Sequence, residues 1–320
     1  MGIREVPWSS VGTLYTEEEI NLVAEVMLNM RDTFSQGKYQ REFERAFCHY
    51  NGNEFAFAVS SCTAALELAA LLTRVGEGDE VIIPAHTFCA TAIPFARTGV
   101  KIVWSDIDPE TWVVSADTLE PLITPKTKCI VVVHLYGLAA DMQSIIELAI
   151  KHNIQIVEDC AHAIGAETRG EKVGTLGDFG CFSFHSHKNI TTLGEGGMLT
   201  IQNPALTKLV PGLRHNGLRA YPEPRNRYWV PAMSDVDFDL DNVWPYNFCI
   251  GEVQCALGKA LLKRVDSLIE KKTSRVTKFI KALKDFPELV FQKVPEGQTS
   301  SWHLLPARYE EKITGKTNHD

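Results

Sequence analysis

The chain has no C-x-x-C pair among its eight cysteines, no G-x-G-x-x-G turn after a strand and no G-x-x-x-x-G-K-[ST] loop. The first absence argues against a disulfide framework or a zinc site. The other two remove support for dinucleotide and P-loop binding. No Lys/Arg block is present, and 32 basic residues stand against 40 acidic ones, a net charge of -8. A nucleic acid or an anionic membrane is therefore not an expected partner. The most apolar run, CIVVVHLYGLAA at 129–140, is too short to cross a bilayer and contains a histidine. The opening MGIREVPWSS has no apolar signal core, and Val6 breaks the myristoylation pattern. Internal repeats and low-complexity tracts are missing too. What remains reads as a cytoplasmic protein with reduced cysteines, several of them (Cys129, Cys181, Cys255) inside apolar segments.

The 320 residues, 45% of them hydrophobic, are enough for one large domain and a smaller one beside it. Thr16 followed by Glu19 forms a capping box that opens an amphipathic helix. Strand-like and helical segments then alternate. FAFAVS (55–60), EVIIPA (80–85), VKIVWSDI, CIVVVHLY, IQIVEDCA, FGCFSFH and GMLTIQ read as strands. The segments 63–75, about 89–98 and 142–153 read as helices. Apolar strands that do not alternate, with helices between them, predict an α/β fold whose mainly parallel sheet is covered on both faces. Residues 219–247 are rich in Pro, Asp and aromatics and read as irregular, and 251–286 reads as helical. We expect a large domain over 1–250 and the start of a smaller C-terminal domain over 251–320. The polar ending EEKITGKTNHD closes no element, so that domain reads as truncated.

Ligands collect at the C-terminal ends of strands in such a sheet. Ser60, Ser61, Cys62 and Thr63 follow one strand and open a helix, where free N–H groups favour an anion. Ordinary capping by Ser or Thr would give the same pattern. Asp159 ends the run IQIVED, and burying it is costly without a cationic partner. It reads as a metal ligand, a helix cap or the partner of a protonated heterocycle. Lys188 lies between a strand and a glycine-rich exit, in a setting where a desolvated amine can attack a carbonyl. An anion cradle, an acid and an amine at three strand ends are what pyridoxal phosphate needs for its phosphate, ring nitrogen and aldehyde.

The ordered motifs resemble the DegT/DnrJ/EryC1/StrS family of sugar aminotransferases, pyridoxal-phosphate enzymes of fold type I. VSSCTAAL (59–66) resembles the phosphate segment, which implies cofactor contacts at Cys62, Thr63 and Ala64. PAHTFCATA (84–92) is similar to P-x-x-T-F-x-A-T, implying that Phe88 stacks on the ring. VHLYGLAADM (133–142) resembles V-H-x-Y-G-x-x-x-D-M. EDCAHAIGA (158–166) implies that Asp159 pairs with the ring nitrogen and places His162 near the phenolic oxygen. FSFHSHKNITTLGEGG (182–197) implies that Lys188 binds the aldehyde and Ser183 the phosphate. YNFCIGEVQCALG (246–258) implies that Asn247 reaches the neighbouring subunit's site, hence a homodimer. The resemblance further implies glutamate as donor and a nucleotide-linked keto sugar as acceptor, in amino-sugar and cell-surface glycan biosynthesis. His185, Tyr246 and Arg219 are candidate substrate contacts, and Trp302 and His303 are the last candidates before the chain ends.

Five features depart from the pattern, one of them the 219–245 segment, which is longer and more aromatic and acidic than the family pattern. Cys62 replaces a glycine, His162 a glutamine, and Phe248-Cys249-Ile250 a Y-R-M triplet, while Leu193 is an extra residue before GEGG. The lost arginine keeps a free keto sugar or sugar acid open as the acceptor. Some relatives of this kind carry a histidine at the lysine position and act as sugar dehydratases; Lys188 argues against that. A non-catalytic regulator of the same fold would be favoured by loss of Lys188 or Asp159, and both are present. His185 and His187 have no third ligand nearby, so no metal is expected.

Overall fold

The computed structural model describes residues 14–31, 33, 35–218, 240, 242–315 and 317. Arg219 and most of the 219–247 stretch lie outside the described residues. Eleven strands follow in chain order among those described. They are β1 Phe55–Val59, β2 Glu80–Pro84, β3 Lys101–Ser105, β4 Thr127–Val133, β5 Gln155–Asp159, β6 Glu167–Thr168, β7 Glu171–Lys172, β8 Phe179–Ser183, β9 Gly197–Ile201, β10 Leu289–Phe291 and β11 Ala307–Tyr309. Seven of them form one sheet in the order β1-β9-β8-β5-β4-β2-β3. The pairs β3–β2, β2–β4, β4–β5 and β5–β8 are parallel. β9 runs antiparallel to both of its neighbours, β8 and β1. The expected mainly parallel sheet is thus present with one reversed strand. That reversal follows from the short lysine loop, because a hairpin connection returns the chain antiparallel.

Both faces of the sheet are covered. Val81, Ile83, Val131 and Val157 point to one side, into the cluster built on α3 (Cys62–Leu72). Ile82, Ile130, Val132 and Ile156 point to the other, against Ile145 and Leu148 of the helix Met142–His152. This is why the strands read as unbroken apolar runs: successive residues face opposite sides, and both sides are buried. Further along the second face, Phe43 and Phe47 of α2 (Lys38–Asn51) pack on Phe182 and Phe184. Phe47 meets Phe182 edge-on with centroids 4.9 Å apart. The N-terminal helix α1 (Glu17–Asn29) begins at Thr16, whose side chain and Glu19 make the expected capping box.

Beyond residue 250 the chain packs first on the large body. Helix Glu252–Leu262 contributes Cys255, Leu257 and Leu261 to the same cluster as Phe43, and Val265 follows them. Gly258 seats this helix, since a Cβ there would lie 2.6 Å from the Phe43 ring. The helical run read as one breaks at Lys263 and Arg264. The second helix, Val265–Ala282, buries only Val265 among its residues and carries the chain outward. The β10–β11 pair lies beyond it. Between those strands the segment 292–304 returns to the large body: Gln292 Nε2 donates to the Thr111 carbonyl (2.7 Å), Ala139 N–H to Thr299 (3.1 Å) and Ser301 N–H to Gly137 (2.9 Å).

Candidate active site

The C-terminal ends of β1, β2, β4, β5 and β8 open into one cavity of about 800 Å³. Ser61, Cys62 and Thr63 line it from the start of α3. Ser61 Oγ accepts from Ala64 N–H (3.1 Å), so the capping reading is correct for Ser61. It occupies the amide of Ala64, a buried residue that does not line the cavity. The N–H groups of Cys62 and Thr63, which line the cavity, remain at the positive end of the helix dipole. Close approach of β9 makes this possible. A Cβ on Gly197 would lie 2.7 Å from Cys62 N and against the Ser61 carbonyl, so any side chain there would displace the start of α3.

Asp159 ends β5 and is 5% exposed. Thr91 Oγ1 donates to Oδ2 at 2.8 Å and Ala161 N–H to Oδ1 at 3.1 Å. Burial raises its pKa, and these donors and Lys188 oppose the rise without cancelling it. Thr91 was not singled out from sequence, although it is the last residue of the P-x-x-T-F-x-A-T match. The Cys62 thiol sits between Asp159 Oδ1 (4.0 Å) and the Cys181 carbonyl (3.4 Å).

Lys188 projects from the β8–β9 hairpin into the same cavity. Hydrogen bonds Phe184 N–H to Gly196 O (2.8 Å), Thr192 N–H to Phe184 O (3.0 Å) and Ser186 N–H to Gly194 O (3.0 Å) hold the loop shut behind it. Gly194 adopts φ +112°, and the extra residue Leu193 adopts φ 59° without being glycine. Burial lowers the Lys188 pKa, while the neighbouring Cys62 and Asp159 raise it. The neutral amine that a nucleophile requires is therefore favoured by its surroundings.

His162 lines the cavity and accepts from Tyr136 N–H at Nδ1 (3.2 Å), which leaves the proton of the neutral ring on Nε2. Burial, helped by Lys188, pulls its pKa down to about 3. His303 stacks on it at 4.2 Å and enters the cavity from the 292–304 segment with Leu304. Phe88, 70% exposed, and Ser183 and His185 also line it. Trp302 does not.

Two more candidates, like Ala64 and Trp302, fall outside the cavity. Tyr246 stacks on Phe248 (4.5 Å) and lines a separate cavity of about 280 Å³ with Glu67 and Arg97. Asn247 bridges to His215 and does not line its own chain's large cavity. Sequence reading missed Thr91, Thr87, Glu195 and Lys272, all of which line it. Lys272 carried no local signal because it sits on an exposed-looking helix more than eighty residues past Lys188.

His134, Glu158 and Cys160 cluster closely enough to hold an ion. Their donors are already committed. Ala140 N–H donates to His134 Nδ1 (3.1 Å), so His134 Nε2–H faces Glu158 Oε2 (2.9 Å). Gly174, Leu176 and Gly177 N–H groups also donate to Glu158, at 2.8, 2.9 and 2.6 Å. This network ties the 174–177 turn to β4 and β5 rather than binding metal.

These residues fit pyridoxal phosphate. The α3 N-terminus with Thr63 suits the phosphate, Asp159 has lone pairs left for a ring N–H, and Lys188 lines the same space. Solved neighbours agree. A putative sugar aminotransferase from Streptococcus pneumoniae in its PMP form matches with TM-score 0.84 at 29% identity, over 96% of this chain and 79% of that one. A GDP-4-keto-6-deoxymannose-3-dehydratase with bound GDP-perosamine matches with TM-score 0.82 at 25% identity, over 95% and 80%. The GDP-perosamine synthase of Caulobacter vibrioides is 42% identical over 72% of this chain, a stretch that is 58% of that enzyme's length. This chain thus spans less than two thirds of that relative. The family model for these aminotransferases matches residues 14–319, nearly everything described above, and the chain belongs to the DegT/DnrJ/EryC1/StrS aminotransferase family.

Proposed function

We propose that this protein is a pyridoxal-phosphate aminotransferase that moves an amino group from glutamate to a nucleotide-linked keto sugar in amino-sugar biosynthesis. The observation that carries the reading is the placement of Lys188, Asp159 and the α3 N-terminus around one cavity at the strand ends. When bound, the cofactor supplies an electron-withdrawing ring that stabilises negative charge at the substrate carbon. The chain's residues do the rest. Asp159 holds the proton on the ring nitrogen, and Thr91 and Ala161 orient it. Lys188 would hold the cofactor's aldehyde, and its amine would carry the proton to and from the substrate carbon. The α3 amides, Thr63 and Ser183 hold the phosphate. His162 offers Nε2–H to the phenolic oxygen and stays uncharged across the physiological range.

The nucleotide-linked acceptor is supported by the GDP-perosamine synthases among the relatives and by GDP-perosamine in the dehydratase structure. Asn247 and Tyr246, which do not line their own chain's large cavity, support a homodimer in which this segment completes the neighbour's site. Eight free thiols support a cytoplasmic setting, and no helix among the described residues is long and apolar enough to cross a membrane. The test is the visible spectrum of the protein with pyridoxal phosphate before and after glutamate. A protein-bound band that glutamate bleaches toward the pyridoxamine form is expected. A band that ignores every amino donor overturns the transfer reading and favours dehydration.

A further inference from the structure

Lys188 and Lys272 are the lysine and arginine side chains that line the large cavity among the described residues. Lys188 faces Asp159. Lys272 is half-buried and its Nζ donates to Asn189 Oδ1 at 2.6 Å, a neutral partner. Asn189 is 3% exposed and fixed in orientation, since its Nδ2 donates to the Ser301 carbonyl at 2.9 Å. It also directly follows Lys188, so the geometry of the lysine loop sets where the Lys272 ammonium sits. An ammonium has three N–H donors, and Asn189 takes one. Burial and nearby Arg275 depress the Lys272 pKa, the mark of a charge with too little compensation. Glu195, a carboxylate on the same wall, is 65% exposed and neighbours His185 at 3.7 Å.

We propose that Lys272 is a specificity-determining residue that anchors an anionic group of the substrate, with Asn189 as its positioning residue. The inference rests on the aminotransferase reading. The chemistry recognised is a carboxylate or phosphate oxygen, from the amino donor or from the acceptor's diphosphate. Cys249 stands where the sequence pattern has an arginine, and the Lys272 ammonium supplies a cation at the cavity from a different element. A point charge with a fixed hydrogen-bond partner suits an oxyanion that approaches from the open side.

The test uses cofactor-loaded wild type, Lys272→Gln and Lys272→Arg. Binding of glutarate, a donor mimic without an amine, and of GDP is measured by calorimetry, beside KM and kcat for donor and acceptor. Lys272→Gln should weaken one ligand at least tenfold and leave the other within twofold, and KM for the matching substrate should rise by more than kcat falls. Lys272→Arg should recover most of the affinity. Loss for glutarate identifies the carboxylate as the source, and loss for GDP the phosphate. Affinities and KM values all within twofold of wild type overturn the assignment. Equal loss in Lys272→Gln and Lys272→Arg, with kcat and KM moving together, also overturns it and leaves a packing role. A wild-type protein that takes up no pyridoxal phosphate overturns the underlying reading instead, and the spectrum distinguishes the two failures.

Discussion

Glu158 and Asp159 are adjacent buried carboxylates with opposite assignments. Along β5 successive side chains face opposite sides of the sheet, so the two never share an environment. Burial alone would raise the Glu158 carboxyl, but His134 and the Gly174 and Gly177 amides outweigh it and hold it below the usual range. Asp159 has two donors and an open side on the cavity, and burial wins. One carboxylate is saturated and holds the fold together. The other is left under-satisfied in the free protein, which is the condition for receiving a cationic ring N–H. The lesson is that burial does not separate a structural acid from a functional one. The count of donors around each does.

The comparison yields graded outcomes. Lys188→Ala should cause the largest loss, about 10³-fold or more in amino transfer, with no protein-bound visible band. Asp159→Asn should retain the cofactor and lower the rate by about 10²–10⁴-fold, read from single-turnover bleaching with glutamate. The same substitution should stabilise the cofactor-free protein at neutral pH by about 1–3 kcal/mol in urea unfolding. The sign follows from its raised folded pKa: Asp159 takes up protons more readily folded than unfolded, so its ionisation above the unfolded value opposes folding. Loss of stability in that variant would place Asp159 with Glu158 as a structural acid.

Glu158→Gln should act in the reverse direction. Activity per folded molecule should be kept, while stability falls by about 3 kcal/mol because the amide cannot accept from every donor around it. The folded pKa of Glu158 is lowered, so its contribution is present above the unfolded carboxyl pKa and is lost as pH falls through the folded one. Acid unfolding of wild type should therefore steepen below the ordinary carboxylate range, and that part of the slope should vanish in Glu158→Gln. Thr91→Val gives the smallest effect. Losing one hydrogen bond to a charged group should cost about tenfold in rate, with cofactor binding retained. An unchanged rate would show that Ala161 alone orients Asp159.

Much of this was legible in the sequence for physical reasons. The strands had to be apolar on both faces, so β2, β4 and β5 stood out as unbroken runs. Thr16 and Glu19 announced α1 because capping is a local matter. Asp159 was visible because a charged residue that ends an apolar strand needs an explanation, and Lys188 because it sits between an apolar strand and a glycine-rich exit. The break at Lys263 and Arg264 was not legible, since both residues favour helix and Val265 turns inward only against the large body. Thr91 looked like any helix-start threonine until β5 brought Asp159 beside it. Leu193 gave no sign that it would take a left-handed φ.

By itself the sequence determined the alternation of strands and helices and the placement of Ser61, Cys62 and Thr63, of Asp159 and of Lys188 at or past strand ends, the three parts we propose for a cofactor site, because each rests on local patterning. The tertiary structure decided what depends on distant segments meeting. It brought Gly197 of β9 against the start of α3. It surrounded Glu158 and Asp159 with different numbers of donors. It also carried Lys272, His303 and Leu304 back into a cavity whose other walls lie more than seventy residues earlier in the chain, and no local pattern encodes such a return.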